Sequence, residues 1–243
     1  MGIADISLVK ADNPGPPVVG LLYTPDKPLS YAVVLGHGYS GSKQDMASLA
    51  QALCSAGHYV LAPDARGHKL GSTGGSMGSL DDISEDLETC VRFVKRETGT
   101  QGVILCGHSM GGGAVAKTAA VCDDVAAVIL LAIGVRPLDI PLPPKAMKLT
   151  ELRSKYVVGT SALEARHQIQ IMLREYVPEI PGTPLLVIYG KDDRFNTAEY
   201  CQNLIDLATG PKALTMVNTD HFGVPLRCAG EVVEWLAEQG LGD

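Results

Sequence analysis

The sequence predicts an α/β fold in which helices cover both faces of a doubly wound, mostly parallel sheet. Three observations lead to this expectation. Short, continuous apolar runs recur along the chain, as is typical of parallel strands buried on both faces. Most of these runs are followed by a segment with apolar residues at helical spacing. The 243 residues, 46% of them hydrophobic, suit one domain with one sizeable core, so residues 1–243 are treated as a single domain.

The first part of the chain is expected to supply a hairpin and two buried strands. Residues 3–10 and 18–23 flank a proline-rich turn and should pair antiparallel, whereas 31–35 and 59–63 are apolar throughout. A serine followed three residues later by an aspartate resembles a capping box, and this pattern begins at Ser42 and at Ser79. We expect helices to follow both serines.

The middle of the chain is organised around residues 107–111, Gly-His-Ser-Met-Gly, between an apolar strand and an Ala-rich helix. In that context G-x-S-x-G is typical of a nucleophile elbow, where a tight turn exposes the serine Oγ at a helix start. A side chain at Gly107 or Gly111 would collide with the neighbouring strand or helix. A dinucleotide-binding turn is excluded, because Ser109 replaces its second glycine and the following strand ends without an acidic residue.

The regular alternation is interrupted between the strand at 125–132 and the strand at 184–189. The intervening residues 133–182 contain a proline-rich stretch and two helical pieces, and we expect them to form a small helical lid. The core is expected to continue with the helices and strand at residues 197–207, 213–217 and 229–238.

Composition excludes several classes of protein. The net charge is −7 and no basic run occurs, so nucleic acid is not an expected partner. No apolar run reaches the roughly 18 residues that span a bilayer, and the start does not resemble a signal peptide. We therefore expect no stable membrane anchor and a cytoplasmic location. The six cysteines show no C-x-x-C spacing and metal-binding motifs are missing from the sequence, which predicts free thiols, no metal and no cofactor.

A nucleophilic serine requires a base, and the base is sought among the six histidines. In a parallel sheet the loops that follow the strands meet at one edge. His221 follows the last strand and completes the chain order of serine, aspartate and histidine. His68 also follows a strand and remains the second candidate.

The orienting carboxylate is expected in the loop after the strand at 184–189, where Asp192 and Asp193 are adjacent. These positions leave the choice open, and we favour Asp193 over Asp192. Asp220 is adjacent to His221 and badly placed to hold its ring, and Asp139 is a remote third option.

Over nearly its whole length the chain resembles the α/β-hydrolase superfamily. The motifs that carry this resemblance are His-Gly-Tyr-Ser-Gly at 37–41, Asp-Ala-Arg-Gly-His at 64–68, Gly-His-Ser-Met-Gly-Gly at 107–112, Gly-Lys-Asp-Asp at 190–193 and Asp-His-Phe at 220–222. Within the superfamily it is most similar to serine carboxylesterases, including feruloyl-esterase-like and monoacylglycerol-lipase-like enzymes. The resemblance implies that the acid is Asp193 and that the backbone N–H groups of Tyr39 and Met110 form an oxyanion hole. The His-Gly-Tyr-Ser loop departs from the His-Gly-Gly-Gly of the hormone-sensitive-lipase-like branch.

The expected function is hydrolysis of short- to medium-chain carboxylic esters through an acyl-enzyme on Ser109. Residues expected to bind the small-molecule substrate are Tyr39, Leu138, Leu142, Phe195 and Phe222. A thioesterase or lysophospholipase would share every motif, and a non-catalytic small-molecule receptor could retain the same fold. An aminopeptidase would need an acidic site for the substrate ammonium, for which Glu151, Glu164 and Glu175 are the candidates. The sequence does not predict an oligomeric state.

Overall fold

The computed structural model describes residues 2–137 and 144–242 of the chain. Eight strands form one sheet in the order β1-β2-β4-β3-β5-β6-β7-β8. The strands are β1 (Ile3–Ala11), β2 (Val18–Pro25), β3 (Tyr31–Gly36), β4 (Val60–Pro63), β5 (Gly102–His108), β6 (Val125–Leu131), β7 (Leu185–Gly190) and β8 (Lys212–Val217). β2 pairs antiparallel with both β1 and β4, and every other neighbouring pair is parallel. The predicted antiparallel start and parallel core are confirmed.

Helices lie on both faces of this sheet. They are α1 (Ala47–Ala56), α2 (Leu80–Thr98), α3 (Met110–Val121), α4 (Pro144–Ser154), α5 (Ala162–Tyr176), α6 (Ala198–Leu207), α7 (Val224–Arg227) and α8 (Ala229–Glu238). Alternate strand residues point to opposite faces and divide the core in two. Val34 and Leu105 contribute to the core beneath α2, α3, α5 and α6. Val33 and Ile104 contribute to the core beneath α1 and α8.

Helix starts follow the predicted caps, with one difference. The Asp45 carboxylate accepts the Ser42 N–H at 3.1 Å, but the first turn, Lys43–Met46, is a 3₁₀ helix that leads into α1. Such a tight turn at a helix start is common. At α2 the Ser79 Oγ accepts the N–H of Asp81 at 3.2 Å, and Asp82 accepts the Ser79 N–H at 3.1 Å.

Two further differences concern the ends of elements. β5 continues to His108, so the strand reaches the elbow without an intervening loop. The short helix α7 was not predicted, because a four-residue helix that begins with proline shows no apolar periodicity. The helical pieces expected in the segment between β6 and β7 are α4 and α5.

The segment between β6 and β7 is attached to the edge of the sheet where the parallel strands end. Isolated bridges join His68 to Val157 and Met77 to Gly159. α5 packs closely on α3, since a Cβ at Gly113 would lie 3.2 Å from the side chain of Ile169. The segment therefore covers the start of α3, where Ser109 lies.

Candidate active site

Ser109 occupies the strained turn that the sequence predicts. Its backbone has φ 51° and ψ −112°, a conformation that a residue other than glycine rarely adopts. A Cβ at Gly107 would lie 2.3 Å from the Gly111 carbonyl oxygen, and a Cβ at Gly111 would lie 2.3 Å from the Gly36 carbonyl oxygen. Both clashes involve main-chain atoms, which have no rotamer by which to move away. Only glycine at 107 and 111 lets α3 approach β3 and β5 this closely.

The structure brings Ser109, His221 and Asp193 together. His221 Nε2 lies 3.2 Å from Ser109 Oγ, and His221 Nδ1 lies 2.8 Å from Asp193 Oδ2. The other carboxylate oxygen of Asp193 accepts the backbone N–H groups of Phe195 at 2.7 Å and Asn196 at 2.9 Å. The Asp193 side chain is fully buried, and these three hydrogen bonds determine its direction. An aspartate held in this way can keep the imidazole proton on Nδ1 and leave Nε2 as an acceptor facing the serine.

His108 supports the loop that carries His221. Its Nε2–H donates to the His221 carbonyl oxygen at 3.0 Å. Burial, and then the positive charge of a protonated His221, lower the pKa of His108 to about 3. His108 is therefore a neutral donor at physiological pH, and it contacts the His221 backbone rather than the reacting side chain.

The other candidate groups lie elsewhere. His68 is buried with its ring edge against His37 and Tyr39, and its Nδ1–H donates to the Arg66 carbonyl oxygen at 3.0 Å. Asp192 is exposed. Asp220 accepts the N–H groups of the two residues that follow His221, so it shapes the loop. Asp139 lies outside the described residues.

The loop that carries Tyr39 presents a free backbone donor. Among the described residues, the N–H groups of Tyr39 and Met110 have no acceptor. The Tyr39 hydroxyl donates to the Thr160 carbonyl oxygen at 2.7 Å, and the Arg153 guanidinium donates to the Tyr39 carbonyl oxygen. Ser40, the next residue, has φ 61°. Tyr39 is therefore held from both its side chain and its backbone by the segment between β6 and β7.

The loop after β4, which contains Asp64 and Ala65, stabilises the loop after β3, which carries Tyr39. Asp64 is fully buried and pairs with Lys43 Nζ at 2.5 Å, while Asp64 Oδ1 accepts the Lys43 N–H at 2.8 Å. His37 Nδ1–H donates to the Gly38 carbonyl oxygen, which leaves Nε2 to accept the Ala65 N–H at 2.9 Å. Burial lowers the pKa of His37 and keeps the ring neutral for both bonds.

A cavity of about 110 Å³ opens beside Ser109. Its wall contains three predicted substrate-binding residues, Tyr39, Phe195 and Phe222, while Leu138 and Leu142 lie outside the described residues. The remaining lining residues come mainly from the elbow, from α4 and from α5: Gly38, His108, Ile133, Arg136, Leu149, Thr150, Arg153, Ala162, Ala165, Arg166, Ile169, Gln170, Asn196 and His221.

Within residues 2–137 and 144–242, no group of three or more His, Cys, Asp or Glu side chains could hold a metal ion. Over the same residues, no helix has both the length and the apolar character needed to cross a membrane.

Comparison with known families matches residues 27–177, more than half of the chain, to the model described as serine aminopeptidase, S33. The chain belongs to this hydrolase family. Solved structures agree on the fold. Est1E of Butyrivibrio proteoclasticus, in a structure with ferulic acid bound, has a TM-score of 0.75 at 20% identity, over 95% of this chain and 98% of that one. The α/β-hydrolase fold and the resemblance to esterases in that superfamily are thereby confirmed.

Curated sequence relatives of this S33-family chain include two lipases. A monoacylglycerol lipase of Mycolicibacterium smegmatis is 40% identical over 97 residues, which are 39% of this chain and 34% of that protein. The sn-1-specific diacylglycerol lipase ABHD11 of Mus musculus is 29% identical over 189 residues, 74% of this chain and 60% of that protein. This chain thus spans less than two thirds of the length of either relative.

The cationic part of the cavity wall was not predicted from the sequence. Arg136, Arg153 and Arg166 all line the cavity. Arg153 lies on α4 and Arg166 on α5. In the sequence, such a helical arginine cannot be told from one that faces solvent, because its long stem suits either place. The packing direction of α4 and α5, which only the tertiary structure provides, decides that these two arginines line the cavity, whereas Arg136 follows β6 outside any helix.

Proposed function

We propose that this S33-family chain is a serine carboxylesterase that transfers an acyl group to water through Ser109. The arrangement that carries the proposal is the hydrogen-bonded series Ser109, His221, Asp193 at a strained elbow, with Nε2 3.2 Å from Oγ. Serine on such a turn, a histidine base and a buried orienting carboxylate are the parts that nucleophilic acyl transfer requires.

In the proposed reaction His221 Nε2 accepts the Ser109 proton as Oγ attacks the ester carbonyl. Asp193 stabilises the imidazolium that forms, and the N–H groups of Tyr39 and Met110 stabilise the negative oxygen. Each such donor contributes about 3 kcal/mol to the transition state. His221 then protonates the departing alcohol, and in the second half of the reaction it activates water to release the acid.

We propose short- to medium-chain esters as substrates, with α4 and α5 acting as a lid over them. The cavity of about 110 Å³ admits a modest acyl or alcohol group, and Phe195 and Phe222 contribute apolar wall. The lipase relatives are named for acting on carboxylic esters of glycerol. A cytoplasmic location belongs to the same proposal.

An aminopeptidase function is disfavoured despite the description of the family. No Asp or Glu is among the described residues that line the cavity, whereas three arginines are. Glu151, Glu164 and Glu175 are exposed. A substrate ammonium would be repelled in this environment. A thioesterase or lysophospholipase uses the same chemistry, and comparison of matched esters and thioesters separates these activities.

The proposal is tested by labelling with a fluorophosphonate probe and by hydrolysis of p-nitrophenyl esters. The wild-type protein should be labelled and active, and Ser109→Ala should lose both properties while it keeps its melting temperature. Ser76→Ala, at an exposed serine, is the matched control and should behave as wild type. A protein that neither reacts with the probe nor hydrolyses any ester would instead support a ligand receptor on this fold.

A further inference from the structure

The cavity beside Ser109 combines apolar side chains with a cationic wall. Ile133, Leu149 and Ile169 provide aliphatic surface, while three arginines provide positive charge. No carboxylate lies among the described residues that line the cavity. Burying a guanidinium group costs free energy unless the group is paired. A neutral ester offers no charge to pair with an arginine, so binding one does not require such a wall.

The Arg153 side chain and the Arg136 backbone make contacts with neighbouring parts of the fold. Arg153 donates to the Tyr39 carbonyl oxygen and lies over the Phe222 ring, 4.7 Å from its centroid. The backbone of Arg136 is fixed by Gln170, whose Oε1 accepts the Arg136 N–H at 2.9 Å, and by Arg174, which donates to the Arg136 carbonyl oxygen at 2.6 Å. Burial lowers the pKa of both Arg136 and Arg153.

Arg166 differs from both. Its Nη2 is buried and has no hydrogen-bond partner among the described residues. It lies on the same face of α5 as Ala162, Ala165 and Ile169, which also line the cavity. Ile169, one turn away, is the residue that approaches Gly113 beside the elbow. A buried N–H donor without an acceptor is unfavourable, and a ligand anion that reached it would remove the penalty.

We propose that the substrate is an ester with a carboxylate in one of its two halves, and that Arg166 binds this carboxylate. The proposal rests on the esterase function proposed above and names its substrate class. A guanidinium and a carboxylate match in shape and form charge-assisted hydrogen bonds. The aliphatic wall accommodates the carbon chain between the carboxylate and the scissile bond. Hydrolysis adds water across the ester, giving an acid and an alcohol, and the second carboxylate is unchanged.

Two pairs of probes place the carboxylate on either side of the scissile bond. For the acyl side, p-nitrophenyl hydrogen glutarate is compared with p-nitrophenyl hexanoate. For the alcohol side, p-acetoxybenzoate is compared with p-tolyl acetate. The wild-type enzyme should prefer the anionic member in one pair. Arg166→Gln should lower the kcat/KM ratio of anionic to neutral probe by about 10- to 100-fold, mostly through KM, as expected for a lost charged hydrogen bond.

Arg166→Lys should keep part of the preference, because it keeps the charge without the planar fork. Arg194→Gln is the matched control: it removes the same charge from an exposed residue next to Asp193, outside the cavity wall, and should leave the ratio within about twofold. If Arg166→Gln does not fold, inhibition of the wild-type enzyme replaces it. Glutarate should then inhibit hydrolysis of neutral esters more strongly than hexanoate does, or p-hydroxybenzoate more strongly than p-cresol.

Three results would overturn the proposal. The first is an equal kcat/KM for the anionic and the neutral probe in both pairs. The others are equal losses for anionic and neutral probes in Arg166→Gln, and equal inhibition within both inhibitor pairs. Failure of the esterase function is a different result, in which no probe is turned over and Ser109 is not labelled. Hydrolysis of neutral esters without any anionic preference would leave the esterase function standing and remove only the carboxylate.

Discussion

Asp193→Asn is expected to lower kcat by about 10⁴-fold, and the geometry around the carboxylate gives the reason. Asp193 Oδ1 accepts two backbone N–H groups, from Phe195 at 2.7 Å and from Asn196 at 2.9 Å. In the variant, the amide oxygen takes this place, so the amide NH₂ faces His221 Nδ1. Because an NH₂ group donates, Nδ1 must accept, and the imidazole proton moves to Nε2. Nε2 can then no longer take the proton of Ser109.

The opposite amide orientation would preserve the imidazole tautomer. It would remove two backbone hydrogen bonds, and each donor left unsatisfied costs about 1–3 kcal/mol. That orientation would lose only the charge on the carboxylate, which is worth about 10- to 100-fold in rate. The size of the loss therefore reports which way the amide faces.

The assay is kcat for p-nitrophenyl butyrate, with melting temperatures to show that the variants fold. Asp192→Asn, at the exposed neighbouring aspartate, is the control and should stay within about twofold of wild type. A loss in Asp192→Asn as large as in Asp193→Asn, or a loss of less than about 100-fold in Asp193→Asn, would refute this reasoning.

Two further predictions concern stability. Gly111→Ala should lower the free energy of unfolding by about 3 kcal/mol or more, because its Cβ would lie 2.3 Å from the Gly36 carbonyl oxygen. Gly230→Ala is the control: a Cβ there meets no atom within 4 Å, so it should raise the free energy of unfolding by about 0.5 kcal/mol. Urea unfolding measures both variants. Burial, and then the positive charge that His37 carries when it is protonated, lower the pKa of His68 from 6.5 to about 3. The contribution of the neutral His68 to the free energy of unfolding is fully present above pH 6.5 and is lost as the pH falls towards 3. At pH 5 the loss amounts to about 2 kcal/mol. His68→Gln should unfold in urea with a correspondingly smaller difference between pH 7 and pH 5, and an unchanged difference would contradict the assigned cause.

Features set by local backbone requirements could be predicted from the sequence. Glycine at 107 and 111 indicates close approach of main chains, and Ser79 with Asp82 indicates a helix start; the structure contains both. The choice between Asp192 and Asp193 could not be derived from the residues alone. Adjacent side chains differ in direction, and that direction depends on main-chain donors two and three residues further along the chain.

Features that depend on how two elements meet could not be predicted. The contact between α5 and α3 decides that Arg166 faces the cavity, and nothing in the spacing of α5 distinguishes this arginine from an exposed one. For the same reason the predicted pocket was purely apolar and contained no positive charge, although Phe195 and Phe222, which it included, do line the cavity.

Tyr39 is bound at two points to the segment between β6 and β7, so its position depends on the position of that segment. Its hydroxyl is bound to Thr160 and its carbonyl to Arg153, while its N–H is one of the proposed oxyanion donors. By thermodynamic linkage, a substrate group that stabilises α4 against the cavity also stabilises Tyr39 where the oxyanion needs it, and the free energy of this coupling is the same in both directions. Binding energy from a substrate group that contacts α4 would in this way raise kcat. Substrates shortened on the side that fills the cavity should lose kcat as well as affinity.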